Sequence, residues 1–392
     1  MNFINRRNIS DLRDVARLAV EATVGITDVV EKMHHTIQSV HPPLGASNAG
    51  KTNGLTGFVY QSIRGTTRLI GKGLDTGLAP LITRLPETSS NSTRDNFVSA
   101  INGVYGDHLV LTDNPLAIEM NLIHQGRMVN LDKPESDLSP AQHGARTGKL
   151  MLFVHGLCLN EGHWARNGQN HAEALASSLG YTTLYLRYNT GLHIADNGRD
   201  LAILLDKLSR TWSHPVNEMV IVGHSMGGLV ARSACHQGGV ARHAWLRNLR
   251  SLVFVGTPHH GAPLEKGGNW LGKVLELSPY AAPFNSIARK RSAGISDLRH
   301  GSITDVEREH VPLPVGVECY AVAASLAAKP GGMHEHFVGD GLVPLDSALG
   351  RCKDPARTLV IPECRQWVAR RTGHIDVLAS AAVYDRLRHW LE

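Results

Sequence analysis

Residues 219–232 read Met219-Val220-Ile221-Val222-Gly223-His224-Ser225-Met226-Gly227-Gly228-Leu229-Val230-Ala231-Arg232. Four consecutive strand-type apolar residues pass without a linker into a run with helical spacing, and G-x-S-x-G sits at the junction. A serine on so sharp a strand-to-helix turn adopts a strained backbone conformation. Its neighbours two positions away on each side must lack side chains for the turn to close. Gly223 and Gly227 occupy those positions. The turn lifts the Ser225 hydroxyl above the strand end and sets it at a helix N-terminus, which favours negative charge. The five-residue pattern alone is a weak signal in a chain with 39 glycines in 392 residues. The strand before it and the helix after it make it specific.

Strands alternate with helical patterns on both sides of this turn. Strands are predicted at Lys149–Val154, Thr182–Tyr188, Glu218–Gly223, Ser251–Gly256, Glu318–Ala324 and Thr358–Ile361. Helices are predicted at Ala195–Trp212, Met226–Gln237 and, closing the chain, Ile375–Trp390. This alternation implies βαβ units and a mostly parallel central sheet with helices on both faces. Upstream, Ile118–His124 alternates, Gln125-Gly126 turns and Arg127–Leu131 returns, which reads as a β-hairpin. Between Pro263 and Pro312 the alternation lapses into a helical insertion containing Trp270, Leu271, Val274, Leu275 and Phe284. Residues 1–115 show helical patterns at Ile9–Gln38, Leu55–Leu85 and Asn96–Tyr105, separated by polar and Gly/Pro-containing breaks, with no recognisable chemistry. The expected organisation is a helical N-terminal extension, 1–115, and an α/β domain, 116–392, into which a cap or lid at 263–312 is inserted. The extension either packs against a neighbour or attaches to a membrane or lipid surface.

An unassisted serine hydroxyl is a poor nucleophile, so Ser225 needs a histidine base and a carboxylate to orient it. For a serine on this type of turn, the order along the chain is Ser, then Asp or Glu, then His. His374, in Thr372-Gly373-His374-Ile375, lies past the last predicted strand and before the closing helix. His334, His336 and the His259-His260 pair are its rivals. Asp340, in Gly339-Asp340-Gly341-Leu342-Val343-Pro344, has flanking glycines that free its loop to aim the carboxylate; Asp346 and Asp376 are the alternatives. The strand Leu150–Val154 runs into His155-Gly156-Leu157, where the second donor of an oxyanion hole belongs, the first coming from the residue after the nucleophile. The backbone N–H groups of Leu157 and Met226 are therefore the candidate oxyanion donors, and His155 reads as structural. His334-Glu335-His336 is a surface loop on this reading, because histidines at i and i+2 do not share a helix face and no further ligands are evident. No metal site is expected.

Together, His155-Gly156, the run Gly223–Gly228, the run Gly256–Pro263, the run Asp340–Pro344 and Gly373-His374 resemble the bacterial triacylglycerol lipases and the related PGAP1-like lipase/esterases. Arg187-Tyr188-Asn189-Thr190-Gly191 is similar to the latter group. The resemblance covers roughly Lys149 to Glu392. It implies an α/β-hydrolase fold, a Ser225–Asp340–His374 triad, and ester hydrolysis without an organic cofactor. The chain departs from the eukaryotic GPI inositol-deacylases in having no apparent transmembrane segment, so that substrate is not carried over.

Composition narrows the alternatives. The net charge of +5 is scattered, its densest cluster being Arg289-Lys290-Arg291, and no nucleic-acid-binding module is visible, so nucleic acid is not an expected partner. Five cysteines without C-x-x-C spacing argue against a zinc site or disulfide framework. Arg6 and Arg7 are not followed by the apolar stretch of a secretion signal. The expected setting is cytoplasmic with peripheral membrane contact, and the expected partner is an ester or lipid. Two other functions use the same residues or the same helices: acyl transfer through the same triad, and a non-catalytic scaffold binding lipid or a partner.

Overall fold

The computed structural model describes Gln61 and residues 92–132, 147–166, 168–261, 292–306, 309–329 and 339–392. The helices expected at Ile9–Gln38 and, Gln61 apart, Leu55–Leu85, the apolar residues from Trp270 to Phe284, Arg289-Lys290-Arg291, His334 and His336 lie outside the described residues. The chain divides into one unit of Met1–Ser90 with Asp113–Leu116 and another of Asn91–Thr112 with Ala117–Glu392, which holds the sheet.

The strands are β1 (Asn121–His124), β2 (Arg127–Met128), β3 (Lys149–Val154), β4 (Ala165–Arg166), β5 (Gln169–Asn170), β6 (Thr182–Arg187), β7 (Glu218–His224), β8 (Leu249–Val255), β9 (Glu318–Ser325) and β10 (Gln366–Arg370). Eight of them form one sheet in the order β10-β9-β8-β7-β3-β6-β1-β2, and β4 and β5 pair separately. From β10 to β6 every pairing is parallel. The β1–β2 hairpin then closes the edge antiparallel to β6. Its two turn residues, Gln125 (φ 49°) and Gly126 (φ 73°), both take the positive φ that a type I′ turn requires.

Side chains alternate across the strands, so the sheet buries both faces. One face, with Leu150, Leu152, Met219, Ile221, Leu252 and Phe254, packs against helices α1 (Ser92–Leu111), α3 (Ile194–Thr211) and α4 (Met226–Val240). The other, with Met151, Phe153, Val220, Val222, Val253 and Val255, packs against α2 (His171–Ser178) and α7 (Ala381–Leu391). Two shorter helices, α5 (Ala293–His300) and α6 (Leu345–Ala348), lie beyond β8 and β9. This is the α/β-hydrolase fold.

Three elements differ from the sequence reading. Thr358–Ile361 is not a strand: Leu359 donates to the Gly350 carbonyl, not to a sheet neighbour, while its buried Leu359 and Ile361 flank an 89% exposed Val360. The edge position belongs to β10, which pairs with β9 from Gln366 to Arg370. Helix α1, which the division at 115/116 assigns to the extension, belongs to the unit that contains the sheet, and its Ala100, Ile101 and Val104 are buried. The described part of the 263–312 insertion is core rather than cap: Ile295, Leu298, Ile303 and Val311 join the α3/α4 cluster.

The chain leaves β3 toward β6 and then returns past β3 to β7 and β8. The connections diverge between β3 and β7, and the crevice outside the carboxyl ends of two such strands is where open α/β sheets bind ligands.

Candidate active site

Both edges of that crevice carry predicted residues: Gly156 and Leu157 follow β3, and Ser225 follows β7. Ser225 has φ 52° and ψ −125°, a conformation costing on the order of 1–3 kcal/mol for a non-glycine residue. The surroundings hold it there. Its N–H donates to the Val255 carbonyl at 2.8 Å, and its own carbonyl accepts from Gly228 N–H at 3.1 Å. The two flanking glycines are steric necessities. A Cβ on Gly223 would stand 2.5 Å from Gly228 Cα, and one on Gly227 would stand 2.3 Å from the Val154 carbonyl oxygen. Gly156 matters in the same way, since its Cβ would reach within 3.0 Å of Ser225 Cβ.

Met226 is the first residue of α4, so its N–H has no intrahelical partner. Leu157 N–H lies in the loop after β3. Neither amide makes a hydrogen bond to another described residue. Gly156, Leu157, His224, Ser225 and His374 line one pocket together with Leu159, Pro258, Leu298, Leu342, Val343 and Ile375.

Asp340 and His374 are buried and bonded to each other, with His374 Nδ1 2.7 Å from Asp340 Oδ2. The other carboxylate oxygen accepts from Leu342 N–H at 3.0 Å and Val343 N–H at 2.8 Å. A carboxylate oxygen in this contact accepts, so Nδ1 is the donor and Nε2 is the ring nitrogen left to face the pocket chemistry. The loop of His374 is fixed at both ends of its peptide: its N–H donates to the Asp340 carbonyl at 3.2 Å, and its carbonyl lies 3.0 Å from His224 Nε2. The structure thus brings Ser225 and His374 to one pocket and bonds His374 to Asp340; Asp346 and Asp376 do not take that place.

The His224 clamp was not visible in the sequence, where His224 only fills a variable position of G-x-S-x-G. Its ring is fully buried with its centroid 4.9 Å from that of His374, and burial and the neighbouring His374 push its pKa well below the usual imidazole value. It is neutral and donates from Nε2.

His155, expected to be structural, is buried in the structure. It stacks on Tyr188 with centroids 4.6 Å apart, and burial holds its pKa at about 4. His259 lies against Arg232 Nη1 at 3.3 Å, and the described partners of the Asp340 carboxylate do not include it. Among the described residues no group of three or more His, Cys, Asp or Glu side chains is placed to hold a metal ion. Among them, too, no helix is long and apolar enough to cross a membrane.

A family model described as a domain of unknown function, DUF7379, matches residues 121–278, which span β1 to β8 and include Leu157, Ser225 and Met226. No curated protein matches the chain. Among solved structures the chain is similar to the mature form of the Bacillus licheniformis lipase BlEst2 (18% identity, 70% of this chain and 98% of that one, TM-score 0.43). It is similar also to a thermophilic esterase from Thermogutta terrifontis (16% identity, 63% and 90%, TM-score 0.37). A third is the Pyrococcus furiosus esterase Pf2001 (14% identity, 62% and 83%, TM-score 0.38).

Proposed function

We propose that this chain is a serine hydrolase that cleaves carboxylic esters, lipid esters among them, through an acyl-enzyme on Ser225. The observation that carries this reading is a conjunction: a strained serine and a histidine at one pocket, that histidine's Nδ1 bonded to a buried carboxylate, and two backbone N–H groups next to the serine and after β3 that bond to no other described residue. In the proposed mechanism Ser225 Oγ attacks the ester carbonyl as His374 Nε2 takes its proton. Asp340 holds the imidazole in the required tautomer and stabilises the imidazolium. The N–H groups of Leu157 and Met226 receive the oxyanion of the tetrahedral intermediate, each worth about 3 kcal/mol in comparable sites. His374 then protonates the departing alcohol. Water, deprotonated by the same nitrogen, attacks the acyl-enzyme; the Oγ–acyl bond breaks, His374 returns the proton to Ser225 Oγ, and the acid leaves.

The substrate class rests on the pocket lining. Leu157, Leu159, Pro258, Leu298, Leu342, Val343 and Ile375 are apolar, and among the described lining residues there is no carboxylate, lysine or arginine. Such a surface favours an apolar acyl or alcohol portion over a charged one.

The test is a panel of p-nitrophenyl esters of increasing chain length with wild type and Ser225→Ala, alongside labelling by a fluorophosphonate. Turnover lost in Ser225→Ala and a single adduct on Ser225 are expected. An adduct on another residue, or turnover surviving in the variant, overturns the reading. Capture of the acyl group by an added alcohol in preference to water would identify a transferase with the same triad.

A further inference from the structure

The loop that carries Leu157 is not self-supporting. Cys158, the next residue, has φ 60°, a left-handed conformation that costs a non-glycine side chain energy and needs outside support. Its N–H donates to Thr190 Oγ1 at 3.2 Å, and its thiol is fully buried against α1. The contact is at Gly103, a helical residue two positions before α1 kinks at Tyr105 (φ −129°, ψ 17°). A Cβ there would stand 2.2 Å from Cys158 Sγ and 3.0 Å from Cys158 Cα and N. Glycine inside a helix is disfavoured by about 1 kcal/mol relative to alanine, so close approach is what requires it here. Two residues further along the loop, Asn160 Nδ2 donates to Asn96 Oδ1 on α1 at 2.9 Å. The Arg187–Gly191 segment joins the two sides. Asn189 Nδ2 donates to the Gly106 carbonyl of α1 at 3.0 Å, while Tyr188 Oη donates to the His155 carbonyl at 2.7 Å.

We propose that α1 is the brace that sets the Leu157 oxyanion donor, with Gly103 and Cys158 as positioning residues and Arg187–Gly191 as the clamp between helix and loop. This rests on the hydrolase reading above. A donor that acts on the oxyanion works in the transition state, so moving it lowers kcat and spares KM.

The test uses the full chain. Gly103→Ala drives the loop away from α1 and is expected to lower kcat tenfold or more with KM within about twofold, since losing one oxyanion donor outright costs about 10²–10³. A trifluoromethyl ketone, which forms a tetrahedral adduct on the serine, should lose affinity by the same factor as kcat/KM. Gly103→Ala/Cys158→Ala removes the nearest clashing atom and should recover most of the loss. Folded Gly103→Ala with unchanged kcat, a loss the double variant does not recover, or a change confined to KM overturns the proposal. If Gly103→Ala does not fold, Asn96→Ala decides: a threefold or greater fall in kcat at constant KM supports the brace, and unchanged kcat overturns it. Activity lost in Ser225→Ala but intact in these variants removes the brace alone; activity surviving in Ser225→Ala removes the hydrolase reading.

Discussion

Asp340→Asn tests the triad because the surroundings decide which way the amide must face. The native carboxylate accepts three hydrogen bonds, two from backbone N–H groups at Oδ1 and one from His374 Nδ1 at Oδ2. Asparagine has one acceptor and one donor end. With its oxygen toward Leu342 and Val343, both backbone bonds survive, and the amide nitrogen faces His374. With its oxygen toward His374, the nitrogen meets two buried N–H donors. Each lost bond is worth about 1 kcal/mol net, and leaving a buried donor unpaired costs about 1–3 kcal/mol. The first orientation is favoured by at least about 2 kcal/mol on that basis, and holds in more than roughly nine molecules in ten. In it, Nδ1 must accept, the imidazole proton moves to Nε2, and the base has no lone pair for the Ser225 hydroxyl. That tautomer error is worth about 10⁴ in kcat in serine proteases, and a loss of this order is expected here. The assay is steady-state turnover of a short p-nitrophenyl ester, with circular dichroism melting to show that the variant folds. Asp346→Asn, assayed in parallel, is expected to lose less than about threefold. Asp340→Asn retaining more than a tenth of wild-type kcat, or Asp346→Asn showing the larger loss, refutes the assignment.

Two other predictions follow from the buried histidines. His224→Leu leaves the His374 carbonyl without its donor, and at a cost of about 1–3 kcal/mol for that group kcat should fall on the order of tenfold; His224→Gln should recover part of it, and equal turnover in wild type and His224→Leu would show that the base does not need the clamp. The second prediction concerns stability. Burial depresses the pKa of His155 to about 4 and pushes those of His224 and His259 well below their ordinary value. The unfolded chain therefore binds more protons than the native one below pH 6.5, so stability is full above that value and falls as pH drops toward 4. His155 alone accounts for about 3 kcal/mol over that window, and a urea midpoint that stays level from pH 7 to 4.5 would contradict it.

The parts of the molecule legible in the sequence are those whose cause is local. The elbow at Ser225 could be read because strand, glycines, serine and helix are consecutive, and the packing against Gly228 and Val154 repeats what the spacing demanded. Central strands such as Val220–Val222 were legible because a strand buried on both faces has to be continuously apolar. The edge was not. Among the described strands β10 has a neighbour on one side only, so Gln366 and Arg370 are tolerated in it and no apolar run marks it. Thr358–Ile361 looks more like a strand, but its alternation serves Leu359 and Ile361 in a loop that covers the core.

The supporting contacts around the candidate site were illegible for the opposite reason: their partners are far apart in sequence. His224 and His374 are 150 residues apart, Asn189 and Gly106 are 83 apart, and Cys158 and Thr190 are 32 apart. No periodicity links such pairs, and His224 satisfies G-x-S-x-G no better than another residue would. One local trace existed, in two glycines inside α1. A Cβ on Gly103 collides with Cys158, and one on Gly106 would stand 1.8 Å from Asn189 Oδ1. The two glycines flank a kink in α1 at Tyr105 (φ −129°, ψ 17°), and their missing side chains mark where a surface is pressed against it. The segment Arg187–Gly191 has the same character. Arg187 pairs with Glu161, Tyr188 with the His155 carbonyl, Asn189 with Gly106 and Thr190 with Cys158. Four successive side chains are thus committed to two elements, three to the stretch from His155 to Glu161 after β3 and one to α1. A substitution at any one of them is felt at the oxyanion loop or at the helix beside it, so such a segment can be constrained as tightly as a triad while touching no substrate.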